Sequence, residues 1–315
     1  MSIHIHLLGG SGRIGTALTQ SLISDPIGGL DTIQIYCDST KAAGFSAGQA
    51  ISPKITASGY SSFCLSSFKD QEKMSQHDSH IVFNLRGVNS KQHWLNQPLD
   101  ALEVQSQACK CLLDSDMWMY PGVSIVHLSS QLCDLIESPL SLEKICEGQE
   151  SYRRPYMVSR LHQEAVLSAY AFEHCIPTLI LRLPAVYGFS DDVKSPWVLN
   201  SLCKLRLRGE DVVPRHPERV IYLTHRQPLI NYLRSLIVST QMARDLRTVR
   251  YLRPPMLQMT VKNLADLVQA LEHPTDILSH DFITITGDGN IHEEEKNHHL
   301  QLLQSSIASL LNRHG

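Results

Sequence analysis

The chain has 315 residues, 43% of them hydrophobic and 19% charged, with a formal net charge of -3. That length buries a large core and suits one large domain, or one domain with a smaller lobe, in an ordinary soluble globular protein. The small negative charge excludes a nucleic-acid binder's electrostatic footprint, and no apolar run approaches the roughly 20 residues of a membrane span.

The first half alternates short apolar runs with helical patterns, the signature of a parallel sheet with crossover helices. Strand one is read at 3–8, with no signal peptide before it, so a cytoplasmic protein is expected. Ile14, Ala17, Leu18, Ser21 and Leu22 then recur at helical spacing, and Asp25-Pro26 with Gly28-Gly29 ends that helix. Further strands are read at 32–36, 62–66, 80–85, 123–128 and 178–183. A long amphipathic helix is read at 99–113, and another at 155–175, which opens on Pro155. After Tyr187-Gly188 strand signals thin out, and Lys and Arg cluster between Lys204 and Arg226. Thr260 reads as the N-cap of a helix over 261–271. The predicted organisation is a first domain over 1–185 and a smaller α/β lobe over 186–315, with 219–224 as a strand that could return to the first domain. The eight cysteines lack a paired framework and read as reduced thiols. The segment 292–299 invites a metal reading through His292, His298 and His299, but no third ligand set is implied. A solvated helix face is expected there and no metal.

Gly9-Gly10-Ser11-Gly12-Arg13-Ile14-Gly15 lies between strand one and helix one. In this G-x-x-G-x-x-G run Gly9 permits the tight turn, Gly12 lets the backbone approach a pyrophosphate, and Gly15 lets helix and strand pack closely. The helix N-terminus then meets the phosphates with its N–H groups and the positive end of its dipole. A glycine motif alone is weak, but this one has the required strand before it and helix after it. The fold class is therefore α/β, a Rossmann-type doubly wound parallel sheet that binds a dinucleotide. Asp38 closes strand two, where a carboxylate accepts both adenine-ribose hydroxyls and repels a 2′-phosphate, which favours NAD. The spacing exceeds the usual ~20 residues. Arg13 and Lys41 offer charge to a 2′-phosphate, so NADP stays open.

Tyr156 and Arg160 are four residues apart and share a helix face. A fixed cation beside a phenol stabilises the phenolate and makes it a usable acid or base. Ser130 follows strand five at the carboxyl end of the sheet, where such folds bind ligands, and its hydroxyl could bond the same substrate oxygen.

On these residues the chain resembles the extended short-chain dehydrogenases/reductases, the family of NAD-dependent nucleotide-sugar epimerases and dehydratases. The glycine loop matches, as do Leu128-Ser129-Ser130, Tyr156, and 181–188 against the R-P-x-x-V-Y-G segment. The resemblance implies that Ser130 and Tyr156 bind the reacting oxygen and that Tyr156 moves its proton. It implies that the cation at Arg160 binds the nicotinamide ribose, that Leu85 and Pro184 line the cofactor, and that Arg219 contacts a substrate diphosphate. It further implies a homodimer built on the helices at 99–113 and 156–175.

Four positions depart from the family. Arg160 replaces lysine, a bulkier planar cation at a tight site. Arg86 stands where a small residue is usual, and either enters the cofactor site or points away. Arg226 stands near a usual aspartate. Gln131-Leu132 replace the Asp-Glu of the 4,6-dehydratases, and neither serves as acid or base near neutrality, which disfavours that reaction. The expected function is epimerisation or oxidoreduction at a secondary alcohol or ketone of a nucleotide sugar. A keto-reductase and a non-catalytic dinucleotide-binding homologue are the alternatives.

Overall fold

The computed structural model describes residues 2–37, 54–59, 78–87, 91–115, 122–135, 153–189, 198–242, 249–271, 284–286 and 293–312. In chain order the elements are β1 (Ile3–Leu8), α1 (Arg13–Ser24), β2 (Leu30–Cys37), β3 (Lys54–Gly59), β4 (Ser79–Asn84), α2 (Lys91–Asn96) and α3 (Pro98–Leu113). Then come β5 (Val123–Ser130), a 3-10 turn (Gln131–Leu135), α4 (Arg153–Glu173), β6 (Thr178–Leu183), β7 (Ala185–Tyr187), α5 (Val198–Leu207), β8 (Val220–His225) and α6 (Arg226–Met242). The chain ends with β9 (Val249–Leu252), β10 (Met256–Thr260), α7 (Val261–Ala270), β11 (Thr284–Thr286) and α8 (Glu293–Asn312). It divides into two units, Met1–Leu183 with Leu233–Leu252, and Pro184–Tyr232 with Arg253–Gly315.

The first unit is a seven-stranded parallel sheet in the order β3-β2-β1-β4-β5-β6-β9. Strand order reverses between β1 and β4, the switch point beside which doubly wound sheets bind ligands. Ile5, Leu7, Ile33, Ile35, Ile81 and Phe83 share one face and are fully buried. The other face carries Leu8, Tyr36, Val82 and Ile125, which pack with Cys109 and Leu112 of α3 and Leu167 and Tyr170 of α4. Arg234 closes the end of α1: it donates to the Ser21 carbonyl at 2.8 Å and pairs with Asp25 at 2.6 Å.

The expected strand at 62–66 lies outside the described residues, and the strand beside β2 is β3. Residues 219–224 do not return to the first sheet. β8 pairs with β7 and β10 in a separate four-stranded sheet, β11-β10-β8-β7, and β9 is the strand that joins the first sheet. In the second unit that sheet shares a core with α5, α7 and α8, built on Leu202, Leu223, Leu257, Leu264, Leu267, Leu303 and Ile307. Thr260 caps α7 as expected, accepting from the Asn263 N–H at 3.1 Å. His299 corrects the solvated-face reading of the tail: it is fully buried, on the stripe of α8 that carries Leu300, Leu303 and Ile307.

A histidine stack on the α3/α4 face of the first sheet makes its stability pH-dependent. His6 Nε2 lies 3.1 Å from His80 Nδ1, and His4 stacks on His80 with ring centroids 4.6 Å apart. Tyr36 Oη lies 3.4 Å from His6 Nδ1 and donates to Gln34 at 2.6 Å. Burial, with His80 and His4 adding repulsion, pushes His6 down to about 3. Burial and then His4, opposed by Asp78, push His80 down to about 4. The unfolded chain binds these protons below about 6.5 and the native state does not. Stability is therefore full above about pH 6.5 and falls as pH drops toward the folded values. The slope is about 1.4 kcal/mol per pH unit for each histidine involved. Urea unfolding at pH 7.5 and pH 5 should show this loss, and His6→Phe should lower the slope by one proton. An equal unfolding free energy at both pH values would refute it.

Candidate active site

The chain leaves β1 at Leu8 and turns through Gly9, Gly10, Ser11 and Gly12 into α1. Gly9 has φ +84°, and a Cβ there would lie 2.8 Å from the Arg86 backbone nitrogen, so only glycine serves. A Cβ at Gly15 would meet the Gly10 Cα at 2.5 Å, which presses the first turn of α1 against the loop. Gly12 differs, because a Cβ there would meet only the Gly9 carbonyl oxygen, at 3.2 Å. Gly12 is exposed and caps α1 without a side-chain hydrogen bond, and the first turn carries no acidic residue. The N–H groups of that turn and the helix dipole are thus arranged for an anion. Ser11 and Ile14 are half-buried in the same turn and Arg13 is exposed. These features fit a dinucleotide diphosphate. Asp38 and Lys41 lie outside the described residues.

Leu85 follows β4 and donates its N–H to the Leu8 carbonyl at 2.8 Å, so residues 85–87 run beside the glycine loop. Arg86 donates from its guanidinium to Gln107 of α3 at 3.1 Å. The side chain is directed to that helix.

Ser130 is the last residue of β5. It is buried, and its hydroxyl accepts from the Leu132 N–H at 3.3 Å. Tyr156 sits in the first turn of α4, half-buried, with its ring edge-on to Trp94 of α2 at 5.7 Å between centroids. Ala101, Leu102 and Val104 of α3 belong to the same cluster. No hydrogen bond joins Ser130 to Tyr156 among the described residues. Arg160 does share the face of Tyr156, with Cζ 5.4 Å from the ring centroid.

Arg160 is buried, at 4% exposure. It donates to the Leu128 carbonyl at 3.1 Å and to Gln163 Oε1 at 3.4 Å. Gln163 is itself tied to α3: it accepts from Gln105 Nε2 at 2.8 Å and donates to the Gln105 carbonyl at 2.5 Å. The guanidinium is thereby tied to β5 and to a glutamine anchored on α3. Its neighbour His127 is held neutral, pushed down to about 3 by burial first and by Arg160 second.

A buried ion network beneath Ser130 went unread in the sequence. Glu164 of α4, 2% exposed, accepts from Ser129 Oγ at 2.5 Å and from Arg182 Nε at 3.1 Å and Nη2 at 2.6 Å. Arg182 also reaches Asp134 at 2.6 Å and lies over the Tyr251 ring at 4.9 Å. The available signal was an arginine inside the apolar strand Thr178–Leu183, since a buried cation needs a carboxylate.

Pro184 and Arg219 belong to the second unit. Pro184 is buried. Arg219 precedes β8, its side chain half-buried and its carbonyl accepting the first N–H of α7, from Val261, at 2.9 Å. Of its basic neighbours, Arg206 donates to the Val268 and Gln269 carbonyls at the end of α7, and Arg208 pairs with Glu210 at 3.8 Å. Lys204 and Arg215 are exposed. No helix among the described residues is long and apolar enough to cross a membrane, and no metal-binding group occurs among them.

The sheet order and the glycine loop define a Rossmann-type dinucleotide-binding protein. The chain belongs to the NAD dependent epimerase/dehydratase family, whose sequence profile matches residues 5–213, and NAD is that family's cofactor. Three solved structures share the fold. The UDP-N-acetylglucosamine 4-epimerase from Methanobrevibacter ruminantium M1, in complex with UDP-N-acetylmuramic acid, is 17% identical with a TM-score of 0.60, covering 99% of this chain and 100% of that one. The NAD dependent NDP-hexosamine 5,6-dehydratase TunA, involved in tunicamycin biosynthesis, is 21% identical with a TM-score of 0.56, covering 85% and 81%. The Bordetella bronchiseptica enzyme WbmF, in complex with NAD+, is 13% identical with a TM-score of 0.54, covering 99% and 96%. No curated protein matches the chain significantly in sequence.

Proposed function

We propose that this chain is an NAD-dependent epimerase or oxidoreductase acting on a secondary alcohol or ketone of a nucleotide-activated sugar. The observation that carries this reading is the helix α1 N-terminus, which has an exposed glycine cap without a side-chain hydrogen bond and no carboxylate in its first turn. Family membership supports it, as do the nucleotide-sugar ligands of proteins with the same fold. Gly9, Ser11, Gly12, Arg13, Ile14 and Gly15 hold the diphosphate, with Leu85 and Pro184 beside the rest of the cofactor. Asp38 selects the unphosphorylated adenine ribose. NAD supplies the hydride acceptor and donor. Tyr156 moves the proton of the reacting hydroxyl, Ser130 hydrogen-bonds the same oxygen, and Arg219 takes the substrate diphosphate.

The test is to measure co-purified NAD by absorbance and fluorescence, then to screen nucleotide sugars by product analysis. Epimer formation with tightly held NAD supports epimerisation, and consumption of added reduced cofactor with a keto-sugar supports reduction. Tyr156→Phe should lower turnover by about 10²- to 10⁴-fold with cofactor still bound. A second reading, dinucleotide binding without turnover, draws on Tyr156 packing against Trp94 and on the engaged Arg160. Bound cofactor with no product in any assay favours it.

We further propose a homodimer through α3 and α4. Leu99, Val158 and Phe172 on these helices are 79%, 51% and 83% exposed. Val158 and Phe172 lie about four turns apart on one side of α4. Phe172→Glu should convert a dimeric mass in light scattering to a monomeric one, and a monomeric wild-type mass at micromolar concentration would sink the proposal.

A further inference from the structure

The glycine loop and the helix that carries Tyr156 are joined by a column of close contacts. Gly9 backs onto the 85–86 backbone, where a Cβ would lie 2.8 Å from the Arg86 nitrogen and 3.1 Å from the Leu85 carbonyl carbon. Two residues on, Gly87 backs onto the Arg160 guanidinium so closely that a Cβ there would collide with Nη2, Cζ and Nη1. The guanidinium is in turn anchored on the Leu128 carbonyl and on Gln163. The order of contact is therefore loop, 85–87 backbone, Arg160, then β5 and α3. The bonds to Leu128 and Gln163 limit how far the guanidinium can move aside, so a shift at one end is passed along the column.

We infer that Arg160 is a positioning residue for the dinucleotide: it sets the glycine loop through Gly87 and the 85–87 backbone, without touching the nicotinamide ribose. The inference rests on the reading that NAD binds at the glycine loop. Arginine and glycine act here as a matched pair. The planar guanidinium fills the space that any side chain at position 87 would need, and Gly87 leaves that space. A lysine at 160 would put a single ammonium there, with less bulk and fewer fixed donors. The loop's contacts are with the diphosphate, which ADP and NAD share, whereas the nicotinamide ribose is present in NAD alone. The two ligands therefore separate a support role from direct contact.

The experiment measures ADP and NAD affinity by titration calorimetry for the wild type, Arg160→Met, Gly87→Ala and the double variant Gly87→Ala with Arg160→Lys. Melting curves in the same buffer establish that each is folded. Arg160→Met and Gly87→Ala are expected to weaken ADP and NAD by the same factor, about tenfold. The double variant should recover most of the loss, because lysine leaves room for the added methyl. If Arg160→Met is unfolded, Gly87→Ala and the double variant carry the same comparison. Loss of NAD affinity with ADP unchanged would show direct ribose contact and overturn the inference. Unchanged affinity for both ligands in folded variants would also overturn it. A wild-type protein that binds neither ADP nor NAD would instead overturn the dinucleotide reading, and this inference with it.

Discussion

Gly12→Asp should raise the dissociation constant for NAD about a hundredfold or more while leaving the melting temperature close to that of the wild type. The first turn of α1 has no acidic residue, and its cap, Gly12, is exposed. A carboxylate at that cap would satisfy the first-turn N–H groups itself, as N-cap aspartates do. It would also set a negative charge against the diphosphate, and like-charge juxtaposition costs several kcal/mol. The cap's φ of -73° suits any residue, and the cost to the fold is confined to the Gly9 carbonyl oxygen, which must yield slightly to a Cβ at 3.2 Å. Gly15→Ala provides the contrast. Its Cβ would meet the Gly10 backbone at 2.5 Å, so stability should fall along with binding. Calorimetric titration and thermal melts of both variants check the pair. Wild-type NAD affinity in Gly12→Asp would remove the diphosphate from this loop.

Glu164→Ala should cost about 3–5 kcal/mol of folding stability, the range for breaking a buried ion pair. The carboxylate is 2% exposed and accepts three hydrogen bonds, from Ser129 and twice from Arg182. Its removal leaves Arg182, 5% exposed, without the acceptor of two of those bonds. The cost comes from the stranded charge more than from the lost attraction. The double variant Glu164→Leu with Arg182→Met should therefore be more stable than either single change. Urea unfolding monitored by far-UV circular dichroism measures the wild type and each of these variants. A cost below about 1 kcal/mol for Glu164→Ala would place this network among weakly contributing surface pairs. Because Ser129 and Ser130 are adjacent on β5, the same network fixes the strand end that presents Ser130.

The elements legible in the sequence are those whose signals are local. The glycine run between β1 and α1, Thr260 before α7, and the apolar stripes of α3 and α4 each declare themselves within one or two turns. The stripe that buries His299 is present too, in Leu300, Leu303 and Ile307, but the charged run before it masks its apolar period. Strand β3 was harder to read: Lys54 and Thr56 are exposed, so this edge strand has little apolar pattern to detect. The sheet that β8 joins is a matter of long-range pairing. Val220–His225 reads as a strand either way, and only its register with Leu257–Thr260 assigns it.

Composition, periodicity and glycine spacing determined by themselves that this chain folds as a parallel α/β protein with a loop built for a diphosphate. Those properties follow from backbone geometry, which neighbouring residues dictate. Tertiary structure alone decided what the buried charges do. Arg160 meets Leu128 and Gly87, and Arg182 meets Glu164 and Asp134, across separations that no local pattern encodes. A charge removed from water must find its partner in three dimensions, and the partner's identity gives the residue its role.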